Sequence, residues 1–407
     1  MQKVYPTAAA VAKPSNEDFQ ASLELLCREK IGEIIQAVLE AEVDEFLGRL
    51  KGEHRGESSG HRDGHEEART VTYGSHPITI QRPRVRQTQE PFTSQVLPPY
   101  RRRFADIDKT LHELWIQGLS TRDFEPSLRG LLGEETPLSP STISRVNKQF
   151  RNEYETWCQR AIENEIVYLW ADGVYLGAGP ADERRVMLVV MGVDLNGDKA
   201  LLAVDDAFSE SEESWTATFE SLRKRGLTDV AMLVADGAAG IWCAFGKTFE
   251  RAKQQRCWIH KTRNVLDKIS ERLKPQVHER LRTIMHADDR AQAESWNEEL
   301  AISLERDYPK AAKCLRDDSE RMFAYYDFPQ EHWRHLRTTN VIESNFDPVR
   351  SRTDVCKRLR SGTSATYLVY ALLIRRKTRW RRFNGYAALR IVHDKLRADR
   401  VALKNAA

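Results

Sequence analysis

The chain has no apolar run of about 18 residues, so no helix that spans a membrane is expected. Its six cysteines, Cys27, Cys158, Cys243, Cys257, Cys314 and Cys356, show no paired spacing. That argues against a disulfide framework, and reduced thiols are expected. No glycine-rich loop of the nucleotide-binding kind is present, and no nucleophile elbow surrounds a serine. Internal repeats are missing too. Charge of one sign is not in excess: 63 Lys and Arg face 60 Asp and Glu, a net charge of +3. Total charge therefore does not announce a nucleic-acid binder, and its distribution has to be read instead. The Ala8–Ala12 patch is shorter than the roughly 7–15 apolar residues of a signal peptide, and Pro14 and Asp18 follow it. A cytoplasmic protein is the expectation.

The 407 residues suffice for two or three domains. From Asp18 to Leu50, apolar residues recur at steps of three and four, which predicts one long amphipathic helix, or two with a break near Gly32. Residues 51–70 are polar and glycine-rich and read as a loop. Val71 to Ile80, interrupted by Gly74-Ser75, reads as a small hairpin. Arg82, Arg84, Arg86, Arg101, Arg102 and Arg103 follow, in a stretch kept extended by prolines. Such a basic arm suits phosphate contacts, with a solvated linker as the alternative. Between 105 and 150 three short helices are expected, the last capped by Ser139 and started by Pro140. They form either a helix-turn-helix, with Thr142, Arg145 and Lys148 facing a major groove, or a plain bundle.

The texture changes at 166. Apolar runs at 166–171, 186–193, 200–204 and 230–235, with a further short one at 255–259, predict strands in the order strand, strand, strand, helix, strand, helix, strand. Asn196-Gly197 marks a hairpin turn. Residues 260–328 read as charged helices, and 332–385 are strongly basic, including Arg337, Arg350, Arg352, Lys357 and Arg358.

Asp172 and Asp236 each follow an apolar strand and precede a glycine. A lone Asp-Gly of this kind is most simply a turn. Two of them on adjacent strands of one sheet would meet, and two like charges that close need a cation or a shared proton. Oxygen ligands without a Cys/His cluster favour Mg²⁺ or Mn²⁺. Glu343 lies three residues past Asn340, so it reads either as half of a capping box or as a third carboxylate. Cys257 and His260 suggest zinc only weakly, because no second pair stands at suitable spacing.

The stretches Ala171-Asp-Gly-Val-Tyr175, Val234-Ala-Asp-Gly-Ala-Ala-Gly240, Gln255-Arg-Cys-Trp-Ile-His-Lys261 and Arg337-Thr-Thr-Asn-Val-Ile-Glu-Ser-Asn345 carry a resemblance. In their order and spacing the chain resembles the Mutator-type transposases of bacterial insertion sequences, over residues from about 18 to 385. The resemblance implies an α/β ribonuclease-H-like catalytic domain with a helical insertion, behind a mainly helical N-terminal DNA-binding region. It puts a metal-binding catalytic triad on Asp172, Asp236 and Glu343, and the family's Cys/Asp-x-x-His signature on Cys257 and His260. It also implies cleavage and strand transfer of DNA by a copy-out, paste-in route, on terminal inverted repeats and a target. A hydrolytic nuclease with the same site, or a non-catalytic regulator, are the alternatives. The expected divisions are 1–50, a helical segment for oligomerisation; 51–104, loop, hairpin and basic arm; 105–160, the helix-turn-helix-like region; 161–260 and 331–407, the catalytic domain with its basic C-terminal segment; and 261–330, the insertion. Two DNA ends must meet in one complex, so a homodimer on DNA is expected, with the first helix as candidate interface. Nucleoid association follows from DNA binding. Pro348 lies where a helix carrying Glu343 is expected to continue, which predicts a kink.

Overall fold

The computed structural model describes residues 16–51, 53, 60–73, 76–88, 90–97, 113–117, 140–176, 185–355 and 362–406. The chain divides into two compact units, Met1–Phe150 and Arg151–Ala407.

In the first unit α1 (Asn16–Leu47) is a single helix, continuous through Gly32. Ile35, Leu39 and Val43, spaced by four, are buried. Ile35 and Leu39 pack on Val71, Ile78, Ile80 and Leu97. The expected hairpin is present as β2 (Arg69–Tyr73) and β3 (His76–Ile80), with Val71 opposite Ile78; its turn residues lie outside the described residues. The glycine-rich loop is shorter than expected. Its last residues form β1 (His61–His65), paired antiparallel with β4 (Pro83–Arg86). β1 lacks apolar alternation, and polar contacts hold it in place: Arg62 bridges Glu40, at 2.6 Å, and Asp44 on α1.

The next helix, α2 (Pro140–Gln159), begins at the proline that the sequence marks as its start, where the missing N–H costs nothing. The two helices expected before it fall mostly outside the described residues, as does Ser139.

The second unit is built on a five-stranded mixed sheet: β5 (Ile166–Tyr175), β6 (Val186–Asp194), β7 (Lys199–Ala207), β8 (Met232–Ala235) and β9 (Lys253–Arg256), in the order β7-β6-β5-β8-β9. β6 runs antiparallel to both neighbours, while β8 and β9 run parallel to β5. The β6–β7 turn falls on Asn196-Gly197, and Gly197 adopts φ +80°. Alternation along β5 separates two faces. Leu169 and Ala171 join Trp215 and Phe219 of α3 (Glu212–Lys224) and Phe245 of α4 (Ala239–Thr248) in one core. Tyr168 and Trp170 point the other way. There the Tyr168 hydroxyl is 2.8 Å from His332 Nδ1, and the Trp170 indole N–H donates to the His335 carbonyl at 3.1 Å.

The fifth strand ends sooner than expected, because α5 (Trp258–Leu266) already starts at Trp258. Helices α6 (Lys274–Met285), α7 (Arg290–Glu305), α8 (Pro309–Arg316) and α9 (Ser319–Met322) follow. The chain then returns to the sheet through α10 (Gln330–Leu336) and the one-turn α11 (Asn340–Glu343), and continues into α12 (Phe346–Val355), α13 (Gly362–Arg375) and α14 (Leu389–Ala406). Pro348 makes no kink after Glu343. The helix already ends there, and Pro348 is the third residue of α12, in a first turn whose N–H groups have no helical partner. No described helix is long and apolar enough to cross a membrane.

Candidate active site

Asp172 lies inside β5, opposite Val189 of β6; the sequence had suggested a strand end. β5 and β8 run in parallel register, with Tyr168 level with Met232 and Trp170 level with Val234. The pairing ends at Trp170–Val234, and Asp236 is the first residue past β8, close enough for its charge to act on Asp172. Alternation gives Asp172 the face of Trp170, the one covered by the segment leading to Glu343. Asp236 begins a tight turn: its Oδ1 accepts from the Ala238 N–H at 3.0 Å, and Gly237 takes φ +106°.

Glu343 ends α11. Thr339, not Asn340, holds the N-cap position and its side chain makes no capping bond, so the Asn340–Glu343 capping box does not form. The Thr339 hydroxyl lies between two acceptors, Glu343 Oε1 and Cys257 Sγ, the latter at 3.2 Å. The Thr339 N–H also donates to Cys257 Sγ, at 3.3 Å. His260 Nδ1 is 3.6 Å from Glu343 Oε1 and has no hydrogen-bond partner. Among the described residues, Cys257, His260 and Glu343 therefore form a group whose ligand atoms lie within 4.8 Å of one another. Three donors are one short of a structural zinc site, and burial pushes the Cys257 thiol up, against the thiolate that zinc requires.

The sequence analysis missed Glu210. It stands between β7 and α3 in a polar run that reads as a solvated loop. Tyr175 lies beside its carboxyl, while Oε2 is buried without a partner among the described residues. Gly173 makes room for it: a Cβ there would lie 2.5 Å from Glu210 Oε1. The only sequence signal is the Asp172-Gly-Val-Tyr175 run, which supplies both the gap and the partner.

Electrostatics tie these groups together. Burial first, then the charges of Asp236, Glu343 and Glu210, hold the Asp172 carboxyl well above the usual carboxylate range. Glu210 is pushed up to about 7 by burial and by Asp236. Among the described residues, the largest charges acting on both are carboxylates. A buried set of mutually repelling carboxyl oxygens fits a hard divalent cation.

A pH dependence follows. A carboxyl whose pKa rises on folding keeps its proton where the unfolded chain has lost it. The stability it contributes is full below the unfolded value and is lost as pH rises through the folded one. For Glu210 that window runs from 4.5 to about 7, and Asp172 acts in the same direction. Without metal, the protein is expected to melt lower near pH 8 than near pH 5, with Mg²⁺ raising the melting temperature more at the higher pH. The double variant Asp172→Asn, Glu210→Gln is expected to flatten the difference in circular-dichroism melts. An equal pH difference in parent and variant would contradict this account.

The basic residues singled out from the sequence have different settings. Arg82 pairs with Glu66, Arg86 pairs with Asp63 at 2.5 Å, and Arg84 lies 3.9 Å from Asp63. Arg337 faces inward: its guanidinium donates to the Met285 carbonyl at 2.7 Å and meets His286 Nδ1 at 2.8 Å. Lys148 and Arg350 are exposed, and Arg352 is half-buried on α12. Arg101, Arg102, Arg103, Lys357 and Arg358, and the side chains of Thr142 and Arg145, lie outside the described residues.

The family described as "Transposase, Mutator family" matches residues 1–383. The chain belongs to that family of transposases. It is similar to the transposase for insertion sequence element IS6120 of Mycolicibacterium smegmatis, at 36% identity over 280 residues, covering 69% of this chain and 87% of that one. The transposase for insertion sequence element ISRM5 of Rhizobium meliloti is 30% identical over 386 residues, covering 93% and 94%.

Proposed function

We propose that this chain is the transposase of a bacterial insertion sequence, and that Asp172, Asp236 and Glu343 form its catalytic centre for cutting and joining DNA. The observation that carries the reading is the meeting of three carboxyls: β5 and β8 pair side by side, and the charges of Asp236, just past β8, and of Glu343 on α11 both act on the buried Asp172. The order of three antiparallel strands followed by two parallel strands reached through helices supports a ribonuclease-H-like domain. The all-oxygen donor set supports Mg²⁺ or Mn²⁺, which when bound supplies charge stabilisation at the reacting phosphate and activation of the attacking oxygen. The chain's own groups position that chemistry. β5 fixes Asp172, the turn after β8 fixes Asp236, the Thr339 hydroxyl holds Glu343 with His260 beside it, and the aromatic face beneath excludes water. The family resemblance extends the reading to a copy-out, paste-in route acting on terminal inverted repeats and a target, in the cytoplasm on nucleoid DNA.

The test uses the full-length protein with Mg²⁺ and two substrates: intact element ends, and ends already cut to a free 3′-hydroxyl. Cleavage of the first and joining of the second to target DNA is the expected result. Cleavage without joining would leave a hydrolytic nuclease, and neither would refute the proposal.

A homodimer on DNA belongs to the same reading. α1 turns Ile35, Leu39 and Val43 inward and leaves Leu26, Ile34 and Val38 exposed on its other side. Ile34→Glu with Val38→Glu is expected to leave helix content unchanged and halve the mass measured by light scattering on DNA. An unchanged dimer would place the interface elsewhere. End recognition is assigned to residues 51–150, with their arginines exchanging Asp63 and Glu66 for phosphate.

A further inference from the structure

On the outer side of the turn that carries Glu343 is a pocket of about 440 Å³. Lys199, Arg334, Arg376, Arg379 and Arg381 line it, and no carboxylate does. None of the five has an ion-pair partner among the described residues. Elsewhere this chain pairs its buried or crowded arginines: Arg185 with Asp206, Arg256 with Asp318, Arg400 with Asp229. Here the cations face one another. Burial and Arg334 lower Lys199, and burial, Lys199 and Arg334 hold the neighbouring His335 down to about 4. Like charges gathered around a small pocket repel, and an anion there removes the repulsion.

The arrangement is built. Asn345, 2% exposed, accepts from Arg376 Nε at 3.2 Å and from the Trp380 indole N–H at 2.9 Å. Its own amide donates to the Val341 carbonyl at 2.8 Å and reaches Met191 Sδ of β6 at 3.6 Å. One buried side chain thus fixes the basic segment to both the Glu343 turn and the sheet. Asn340, Val341 and Ser344, from the turn itself and its cap, also line the pocket.

We propose that this pocket seats backbone phosphates of one DNA strand, and so sets the path by which DNA reaches the carboxylates. The inference rests on the transposase reading for its substrate, yet it concerns residues outside the triad.

The test is fluorescence anisotropy with the full-length protein, EDTA and a labelled DNA duplex of arbitrary sequence, across a KCl series. The variants are Arg379→Gln, Arg381→Gln and the double. Both side chains are exposed, so folding is not at stake, and circular dichroism checks it. Each replacement is expected to lower the slope of log K against log salt by about 0.9, and the double by about 1.8. Arg251→Gln, an exposed arginine at a pocket that also holds Asp229, is expected to leave the slope unchanged. A double variant with the parent's slope, or an equal loss for Arg251→Gln, overturns the proposal while leaving the transposase reading intact. Failure of the parent itself to bind the duplex overturns both. Loss of cleavage in Asp172→Asn, with its slope unchanged, separates the two sites. Competition by inorganic phosphate beyond that of KCl at equal ionic strength would make this a free-anion site and overturn the assignment to DNA.

Discussion

Asp172→Asn is expected to abolish strand cleavage and, in the absence of metal, to stabilise the protein. Both effects come from one property. Asp172 is 7% exposed, and the charges of three other carboxylates act on it. Asparagine keeps the shape and the Gly173 N–H contact of Oδ1 but removes the repelled charge, so the metal-free fold gains. Catalysis loses because an amide is a much weaker partner for a hard cation. A ligand set worth several kcal/mol in the transition state corresponds to a fall in cleavage on the order of a thousandfold or more. DNA affinity is expected to stay near the parent's. Cleavage within tenfold of the parent would remove Asp172 from the catalytic centre, and a lowered metal-free melting temperature would remove the electrostatic argument.

Gly237→Ala is the second large effect. Gly237 follows Asp236 at φ +106°, a conformation that strains any side chain, and a Cβ there would stand 2.6 Å from Arg256 Nε. Arg256 cannot easily withdraw, because Asp318 holds its other end. Backbone strain alone costs about 1–3 kcal/mol. The clash pushes on the turn that aims Asp236, and a displacement near 1 Å is enough to lower a rate about a hundredfold. Gly226→Ala is the control. It carries the same kind of strain, at φ +111°, but its Cβ meets the backbone of Ile162, nearest its carbonyl oxygen at 3.2 Å. Gly226→Ala is expected to melt lower and still cleave in proportion to folded protein. Equal loss of cleavage in the two variants would mean that Gly237 matters only for folding.

Much of the second unit was legible because β5, β6 and β8 are buried on both faces. Continuous apolar runs announce such strands, and the Asn196-Gly197 turn fixes how β6 and β7 join. What remained hidden has physical reasons. β5 runs past Asp172 because Gly173 and Val174 still pair with β6, and a glycine in a strand looks like an ending in one dimension. Glu210 gave no signal. Its place at the site depends on Gly173 having no side chain and on burial that only the folded sheet creates. The start of the helix that ends at Glu343 lies one residue earlier than the sequence suggests, and the Thr339 hydroxyl turns to Glu343 and Cys257 instead of capping it. β1 carries no apolar pattern and is held by charged partners on α1, which local periodicity cannot register.

The long bridge from β5 to the returning segment also bears on how the chain is made. Trp170 meets His335 across 165 positions, and Tyr168 meets His332 across 164. On a ribosome adding about 5–20 residues per second, the aromatic side of β5 waits roughly ten to thirty seconds for its cover. Throughout that interval the nascent sheet shows bare rings and lacks Glu343. A chain cut short before residue 332 would keep that sticky surface permanently, so early termination would yield an aggregation-prone fragment in place of a small functional enzyme.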